Sequence, residues 1–343
     1  MSTPVLGNID CALLLEIKEE INNVWNDTGS RAAEYVADVE PALAILKNQT
    51  ARFEVLEQPD KDRELKVWWV DDCDNEDPTP ISDLCTIDGD EAGTLCADYA
   101  LNEGFEKSFS VTEEKFRTSG LTMAQYIAPI MLKKMQLLDE YWAAKALTAL
   151  QLAAGVNKYA GQYDVVGNKT YIPAPAWNSD VFGYFDTALW MNKLGMSRMI
   201  SGTLLKQHMW KVGMETTNPN GEAEVAKMTA FGVPYFSRRM DTDLGYKAAF
   251  LFNVNSLAMV TKARHEIYGP EGRMIQKDGI LMSTIQSKNL PGVVYDLYAQ
   301  ESCANGDIKH AWKIVTRGGI FQNPTGCDSD LTGVLQFVCG IAP

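Results

Sequence analysis

The sequence predicts an α+β protein organised around one very long helix. Three observations predict it. A helical pattern of apolar residues runs from about residue 120 to Gly155, strand-like runs such as LKVWWV come before it, and short helices and apolar strands alternate after it. The chain has 343 residues, of which 46% are apolar and 22% charged, so an ordered globular protein with a sizeable core is expected.

The first fifty residues contain a short apolar stretch, a turn at 26–30 and an apparent helix from Arg31 to Leu46. A segment of this size cannot hold a core by itself, so we expect it to lie on the rest of the molecule.

An extended excursion follows, from about Phe53 to Val111. Its short β-like runs are interrupted by the acidic segment DDCDNEDPTP at 71–80 and by DGDEAG at 88–93. Turn-forming and charged residues between strand-like runs predict extended structure with a polar tip or polar edges in water.

The long helix has candidate N-terminal caps at Thr118, Ser119, Gly120 and Thr122, and Gly155 is the expected end. Pro129 is expected to kink the first turns. Some thirty residues at about 1.5 Å each predict a rod of roughly 45 to 50 Å. The residues at helical spacing are Met123, Tyr126, Ile127, Ile130, Met131, Leu137, Leu138, Trp142, Ala146 and Leu150.

The remaining chain is predicted to alternate helices and strands. Residues 156–180 contain short strands and turns, and FGYFDTALWMNKLG with SGTLLKQHMWKVG indicates helix, strand and helix. FGVPYFSRRMD and KAAFLFNVNSLAMVTKA are predicted to be two strands separated by a polar turn, the second central in a sheet. VVYDLYAQESC and KHAWKIVTRGGIFQNP are predicted to be paired strands that return to the body carrying the long helix.

Charge and cysteine content limit the function classes. A net charge of -14 without Lys/Arg clusters argues against a surface that grips DNA or RNA. No run approaches the roughly 18 apolar residues of a membrane span, and the N-terminus lacks signal-peptide features. An odd number of scattered cysteines fits reduced thiols, so the chain is expected to stay in the cytoplasm where it is made. The cysteines are Cys11, Cys73, Cys85, Cys96, Cys303, Cys327 and Cys339.

No common catalytic or nucleotide-binding motif is present. The three histidines, His208, His265 and His310, are isolated in sequence, and we interpret them as ordinary buried or surface residues. Cys73, Cys85 and Cys96 are too widely spaced for the usual zinc pairs and are interpreted as structural thiols.

The segment DGDEAGTLCADY begins like a calcium loop, with Asp88, Asp90 and Gly93. Ala92 removes one ligand and Tyr99 replaces the closing Glu, which excludes an EF-hand. A looser carboxylate site for a hard cation remains open, although a solvated acidic loop is favoured. Its ligands would be Asp71, Asp72, Asp74, Glu76 and Asp77. We therefore predict no catalytic, cofactor-binding or metal site.

The order of the elements resembles the HK97 fold of tailed-bacteriophage major capsid proteins. FEKSFSVTEEKFRTSGLTMAQYIAPIMLKKMQLLDEYWAAKALTAL resembles the returning strand of the E-loop running into the spine helix. FGVPYFSRRMDTDLGYKAAFLFNVNSLAMVTK is similar to the axial-domain pattern of a G-[IV]-P strand, a polar turn and an apolar strand. KIVTRGGIFQNPTG is similar to the final strand of the peripheral domain.

The resemblance implies a structural protein without a catalytic step. It implies a major capsid subunit that forms pentamers and hexamers in an icosahedral shell around double-stranded DNA, assembled in the host cytoplasm and resident in the virion. The shell would enclose this DNA without sequence-specific binding. The implied parts, with approximate boundaries, are an N-terminal arm (1–52), an E-loop (53–112), a peripheral domain with the spine helix (113–190), an axial domain (191–265) and a return to the peripheral domain (266–343).

The resemblance also implies partners and leaves alternatives open. Some members of the family carry a Lys–Asn crosslink, but nothing chooses among Lys61, Lys66 and Lys107, so no crosslink is predicted. Some carry a cleaved scaffolding segment of about a hundred residues. Because fifty residues leave no room for it, a separate scaffolding protein is expected, with portal and decoration proteins. An encapsulin-like compartment, an unfamiliar enzyme suggested by His265 and Glu266, and a tail module are the alternatives.

Overall fold

The chain folds around one long helix, two six-stranded sheets and a smaller sheet, and is therefore α+β as predicted. None of the helices in the part described is long and apolar enough to cross a membrane. The computed structural model describes residues 11–27, 31–46, 54–57, 64–70, 94–101, 103–195, 197–215, 234–244, 247–254, 256–263, 275–304, 307–322 and 332–343.

The long helix, α5 (Met123–Leu152), has 30 residues and so a length of about 45 Å. Thr122 begins it with a capping box: the Thr122 hydroxyl accepts from the Gln125 backbone N–H at 3.2 Å, and the Gln125 side chain accepts from the Thr122 N–H at 3.2 Å. The helix continues across Pro129 and ends three residues before Gly155. The predicted rod and one of its predicted caps are confirmed.

Four described helices precede it: α1 (Cys11–Asn26), α2 (Arg31–Glu34), α3 (Glu40–Ile45) and α4 (Glu113–Arg117). The short apolar stretch noted in the sequence is thus part of a 16-residue helix, which packs its buried Leu14, Ile17 and Ile21 in the core shared with α5. This confirms that the N-terminal segment lies on the rest of the molecule.

The predicted single helix from Arg31 to Leu46 is wrong. Residues 36–39 are not helical, and a new helix begins at Glu40. Pro41 explains the restart, because proline has no N–H to donate to the preceding turn and is accepted only at the start of a helix.

The first sheet packs against α5 and is antiparallel throughout. Its order is β10-β14-β13-β12-β11, and β4 also pairs with β14. The strands β13 and β14 confirm the predicted pair of returning strands. The strands are β4 (Glu103–Thr112), β10 (Leu257–Thr261), β11 (Ile275–Lys277), β12 (Ile280–Gln286), β13 (Val294–Ala304) and β14 (Asp307–Gln322).

The 16-residue β14 is the central strand of this sheet. β13 runs along one edge of it, while β4 and β10 follow one another along the other edge. They meet at Gly318, which pairs with both Glu103 and Thr261. The ring of Trp142 lies against Gly318, and its indole N–H donates to the Thr316 hydroxyl at 2.9 Å. The helix is thereby fixed to the middle of the sheet.

The second sheet has the order β5-β6-β15-β9-β7-β8 and its own core, in which Phe185, Leu251 and Phe337 are fully buried. Its strands are β5 (Asp164–Val166), β6 (Lys169–Ile172), β7 (Ser197–Ser201), β8 (Tyr235–Phe236), β9 (Ala248–Asn253) and β15 (Val334–Cys339). Three helices accompany it: α6 (Val181–Met191), α7 (Thr203–Glu215) and α8 (Arg238–Asp243). The predicted helix, strand and helix of this region are confirmed.

Two predicted strands differ from the structure. In FGVPYFSRRMD, the described strand is only Tyr235–Phe236, and Ser237 caps the helix α8 by accepting from the Arg239 N–H at 3.1 Å. The segment KAAFLFNVNSLAMVTKA is two strands in different sheets, because a turn closed by the Ser256 hydroxyl to the Asn253 carbonyl separates β9 from β10. β9 is central in its sheet, as predicted.

The chain passes between the two sheets more than once. β5, β6 and β15 lie outside residues 191–265 in sequence but share a sheet with β7, β8 and β9. β10 lies inside that range and pairs with β14 of the first sheet. The hydrogen-bonded sheets therefore do not follow a single cut in the sequence.

A third, antiparallel sheet has the order β1-β2-β3, formed by β1 (Glu54–Glu57), β2 (Glu64–Val70) and β3 (Thr94–Ala100). β2 contains the predicted strand LKVWWV. The acidic segments 71–80 and 88–93, with Lys61, Cys73, Cys85, His265 and Cys327, lie outside the described residues.

Candidate subunit-contact surfaces

Those histidines and cysteines that lie in the described part of the chain do not converge on one site. His208 is half-buried on α7, Cys303 is exposed on β13 and Cys339 is half-buried on β15. Across the described ranges, no group of three or more His, Cys, Asp or Glu side chains could hold a metal ion.

His310 is buried on β14 between two carboxyl groups. Its Nδ1 lies 3.2 Å from the Glu301 Oε1 on β13, and its Nε2 lies 3.6 Å from the Oε1 of Glu113, the first residue of α4. Burial raises the pKa of Glu301, and the neighbouring histidine lowers it in part. This contact joins β13 and β14 to α4, at the end of β4 where the chain leaves the first sheet.

Asp139 on α5 is a buried polar centre. Its carboxylate accepts from the Ser287 hydroxyl at 2.7 Å, from the Asn289 amide at 2.9 Å and from the Tyr295 hydroxyl. Burial raises the pKa of Asp139 to about 6, although these hydrogen bonds act in the opposite direction. Because Ser287 and Asn289 both donate to it, Asp139 fixes the 287–290 turn on α5.

The 287–290 turn also binds the N-terminal segment. The Asn289 side-chain oxygen accepts from the Ala37 N–H at 3.1 Å, and its amide donates to the Tyr35 carbonyl at 3.2 Å. Nearby, Lys18 on α1 donates to the Ser283 hydroxyl of β12 at 2.9 Å. A small set of polar groups, of which Lys18 and Asn289 are half-buried, therefore positions residues 11–27 and 31–46 on the first sheet.

The face of the first sheet turned away from α5 is a broad, shallow surface. Side chains alternate along a strand, so Trp312, Ile314 and Thr316 are buried toward the helix, while Lys313 and Val315 point to the other face. A groove of about 650 Å³ lies on this outer face, and its lining includes Ser108, Tyr298, Gln300, Lys309 and Lys313.

The charges on this outer face are mixed and partly paired. Lys313 forms an ion pair with Glu106 of β4, and the Arg317 Nη1 lies 3.7 Å from the Asp296 Oδ2 of β13. Lys309, Lys313 and Arg317 recur every fourth residue along β14, a spacing of about 13 Å. A flat, half-polar surface with an aromatic side chain suits an extended polypeptide partner better than a small molecule.

Apolar side chains are exposed near the second sheet. Leu152 at the end of α5, Trp190 near the end of α6 and Ile341 after β15 are 81%, 78% and 86% exposed. Such side chains are common at surfaces where proteins meet. The sequence did not single them out, because an apolar residue at helical spacing has the same signature whether it faces the core or solvent.

No protein-family model matches the chain. No curated protein matches it either. Solved structures do: the chain is similar to the "Asymmetric unit of bacteriophage PhiM1 mature capsid" (9% identity, 82% of this chain and 83% of that chain, TM-score 0.47). It is also similar to the "Capsid structure of the Cyanophage P-SCSP1u" (7% identity, 87% and 89%, TM-score 0.45) and to a structure of Mycobacterium phage Adephagia (10% identity, 98% and 100%, TM-score 0.46).

All three are phage structures. Because the TM-scores lie below 0.5, function is inferred below from the elements of this protein.

Proposed function

We propose that this protein is the major capsid subunit of a tailed bacteriophage with an HK97-like fold. Copies would assemble as pentamers and hexamers into an icosahedral shell around double-stranded DNA. The observation that supports this most directly is one arrangement: an extended three-stranded excursion leads through β4 onto the sheet that carries a 30-residue helix.

The domain assignment is part of the proposal. α5 with the first sheet corresponds to the peripheral domain and its spine helix, and the second sheet to the axial domain. β1, β2 and β3 with the residues between them correspond to the E-loop, and residues 1–52 to the N-terminal arm.

The physical case for a shell subunit rests on shape and burial. A rod of about 45 Å laid along an antiparallel sheet gives a wide, thin body, whose faces are available to neighbouring copies. Within the described part of the chain, strands β1, β2 and β3 contact chiefly one another, and a three-stranded sheet of 4, 7 and 7 residues has little core of its own. A neighbouring subunit would supply the missing contacts. The groove on the outer face of its first sheet is a suitable binding surface for β1, β2 and β3.

The charge balance is consistent with this role. A shell that encloses DNA should not adhere to it along its whole inner surface, and a net charge of -14 disfavours such adhesion while keeping free subunits soluble. We further propose that the subunit has no catalytic step, that separate scaffolding, portal and decoration proteins act with it, and that it assembles in the host cytoplasm and resides in the virion.

Electron microscopy with light scattering on the purified chain, with and without the proteins encoded beside it, tests the proposal. Closed shells, tubes or capsomer rings are expected. A monodisperse monomer or dimer under every condition would contradict it.

A variant lacking residues 71–80 tests the excursion separately. Circular dichroism and the thermal midpoint of the variant should match those of the wild type, while assemblies become scarcer. A second variant, with those ten residues replaced by ten Gly and Ser residues, restores the length without the charges and separates the two contributions. If the deletion unfolds the monomer, the E-loop assignment is wrong.

A further inference from the structure

A buried histidine lies between two carboxyl groups at the point where β4 passes into α4. The side chain of His310 on β14 is 4% exposed, and those of Glu301 and Glu113 on either side of it are 13% and 17% exposed. Water therefore screens the interactions among these three groups only weakly. At the distances of 3.2 Å and 3.6 Å given above, the charge of the ring acts strongly on both carboxylates.

The backbone holds the two carboxyl groups to different degrees. Glu301 lies directly opposite His310 in the antiparallel pair of β13 and β14, so its position is fixed within the sheet. Glu113 begins α4, a helix of only five residues, and the pairing of β4 with β14 ends at Thr112. So short a helix has little stability of its own. A change in the charge of the ring is therefore expected to move Glu113 rather than Glu301.

We propose that His310 and Glu113 form a pH-sensitive contact between α4 and the first sheet: the protonated ring holds Glu113 against β14, and the neutral ring releases it. A charged imidazole attracts the carboxylates on both sides. When the ring becomes neutral, two largely buried carboxylates lose this counter-charge, which is unfavourable. Glu113 relieves the loss by turning toward water, whereas Glu301 stays in the sheet.

The other charged groups at this corner do not take over the role of the ring. Asp307 of β14 is a third carboxylate, and its Oδ2 accepts from the Glu114 backbone N–H at 3.3 Å. Lys309, next to His310 on β14, points to the other face of the sheet and lines the outer groove. The contact of Asp307 does not involve the ring, so α4 is loosened rather than detached when the ring becomes neutral.

The contact weakens as the pH rises. The ring loses its charge with rising pH, and histidine is the side chain that commonly changes charge between pH 5 and 8. Glu301 acts in the same direction: burial raises its pKa above the ordinary 4.5, the charge of His310 lowers it and Glu113 raises it. A carboxyl whose pKa is raised on folding contributes most below pH 4.5 and loses this contribution as the pH rises through its folded value.

The position of α4 gives the contact its consequence. α4 follows β4 directly, and residues 118–122 join it to α5. The contact therefore lies at the joint between the extended excursion and the long helix. Because β4 remains paired with β14 at every charge of the ring, raising the pH loosens the connection to α5 without opening the sheet. The contact would act in a single chain, whether or not copies assemble.

Amide hydrogen exchange of the full chain, followed by NMR at pH 5 and pH 8 and corrected for the intrinsic exchange rates, tests the contact. Light scattering should first show the same oligomeric state at both pH values. Protection of residues 113–118 is expected to fall about threefold, because one partly exposed ion pair makes a modest contribution. Residues of β9 in the second sheet should keep their protection. Equal protection of 113–118 at the two pH values would overturn the proposal.

Two matched variants separate this contact from other titrating groups, including Asp139. Glu113→Gln removes the charge that responds to the ring, so residues 114–118 should be equally protected at pH 5 and pH 8. Glu114→Gln changes the adjacent, exposed carboxyl of the same helix and should keep the pH dependence of the wild type. A Glu113→Gln protein that still loses protection at pH 8 would show that another group controls α4.

The imidazole NMR signals of His310 connect the loss of protection to the ring itself. They can be assigned by elimination, since the chain has three histidines and the variants His208→Gln and His265→Gln each remove one of the other two. The His310 signals and the protection of residues 113–118 should change over the same pH range. A ring that changes charge over a different range would also overturn the proposal.

Discussion

Replacing Gly318 with alanine tests how closely the long helix meets the first sheet. A Cβ atom at this position would lie 2.5 Å from the Val260 carbonyl oxygen and 2.7 Å from the Trp142 Cη2. Neither neighbour can move easily, because one is the backbone of β10 and the other is a fully buried ring. Gly318→Ala must therefore shift either a strand or the helix.

The size of the effect follows from two opposing contributions. Overpacking a tight core destabilises a protein by about 1–3 kcal/mol. Replacing glycine by alanine stabilises it by about 0.4–1 kcal/mol, because it lowers the conformational entropy of the unfolded chain. Gly104, in β4 opposite Arg317, is a matched control: its Cβ would meet the nearest atom, the Thr316 carbonyl oxygen, at an ordinary 3.7 Å. Gly318→Ala should destabilise the protein by about 1–2 kcal/mol, and Gly104→Ala should be neutral or slightly stabilising.

Urea unfolding followed by far-ultraviolet circular dichroism measures both variants. Tryptophan fluorescence is less suitable, because Trp142 itself is displaced. The midpoint of Gly318→Ala should fall without a change in the slope of free energy against urea. If the two variants changed stability equally, the close approach of helix and sheet at Gly318 would be refuted.

Two further predictions concern buried polar contacts. Thr316→Val leaves the Trp142 indole N–H without its acceptor, so thermal unfolding should show a free energy of unfolding lowered by about 1–3 kcal/mol. The double variant Thr316→Val/Trp142→Phe should lose less stability than the sum of the two single changes. The pKa of Asp139 in the folded state, about 6, exceeds its ordinary value of 3.8. The contribution of Asp139 to the free energy of unfolding is therefore complete below pH 3.8 and is lost as the pH rises through 6, by up to about 3 kcal/mol. Urea midpoints at pH 4 to 7 should show this decline in the wild type and a flatter profile in Asp139→Asn; parallel profiles would contradict it.

The sequence predicted the elements whose signals are local. Thr122 and Gln125 lie at capping-box spacing, and the apolar repeat after them extends over many turns, so the long helix was visible without tertiary information. The run LKVWWV and the two strands β13 and β14 carry enough β-branched and aromatic residues to be recognised in the same way.

What the sequence could not predict depends on distant contacts. α1 became helical and buried because Leu14 and Ile17 meet α5, more than a hundred residues away. In the sequence, β9 and β10 look like one apolar strand. Which sheet each of them joins is decided by distant partners, such as Leu335 for β9 and Phe321 for β10. The groups around Asp139 and His310 come from distant parts of the chain, and only folding brings them together.

The position of β15 determines when this protein can finish folding. It follows every other described element in sequence, yet it lies between β6 and β9 in the interior of the second sheet. During synthesis, both neighbours present unpaired edges, and Phe337 is missing from the core, until residues 334–339 leave the ribosome. A chain that lacks residues 334–339 therefore cannot close the second sheet.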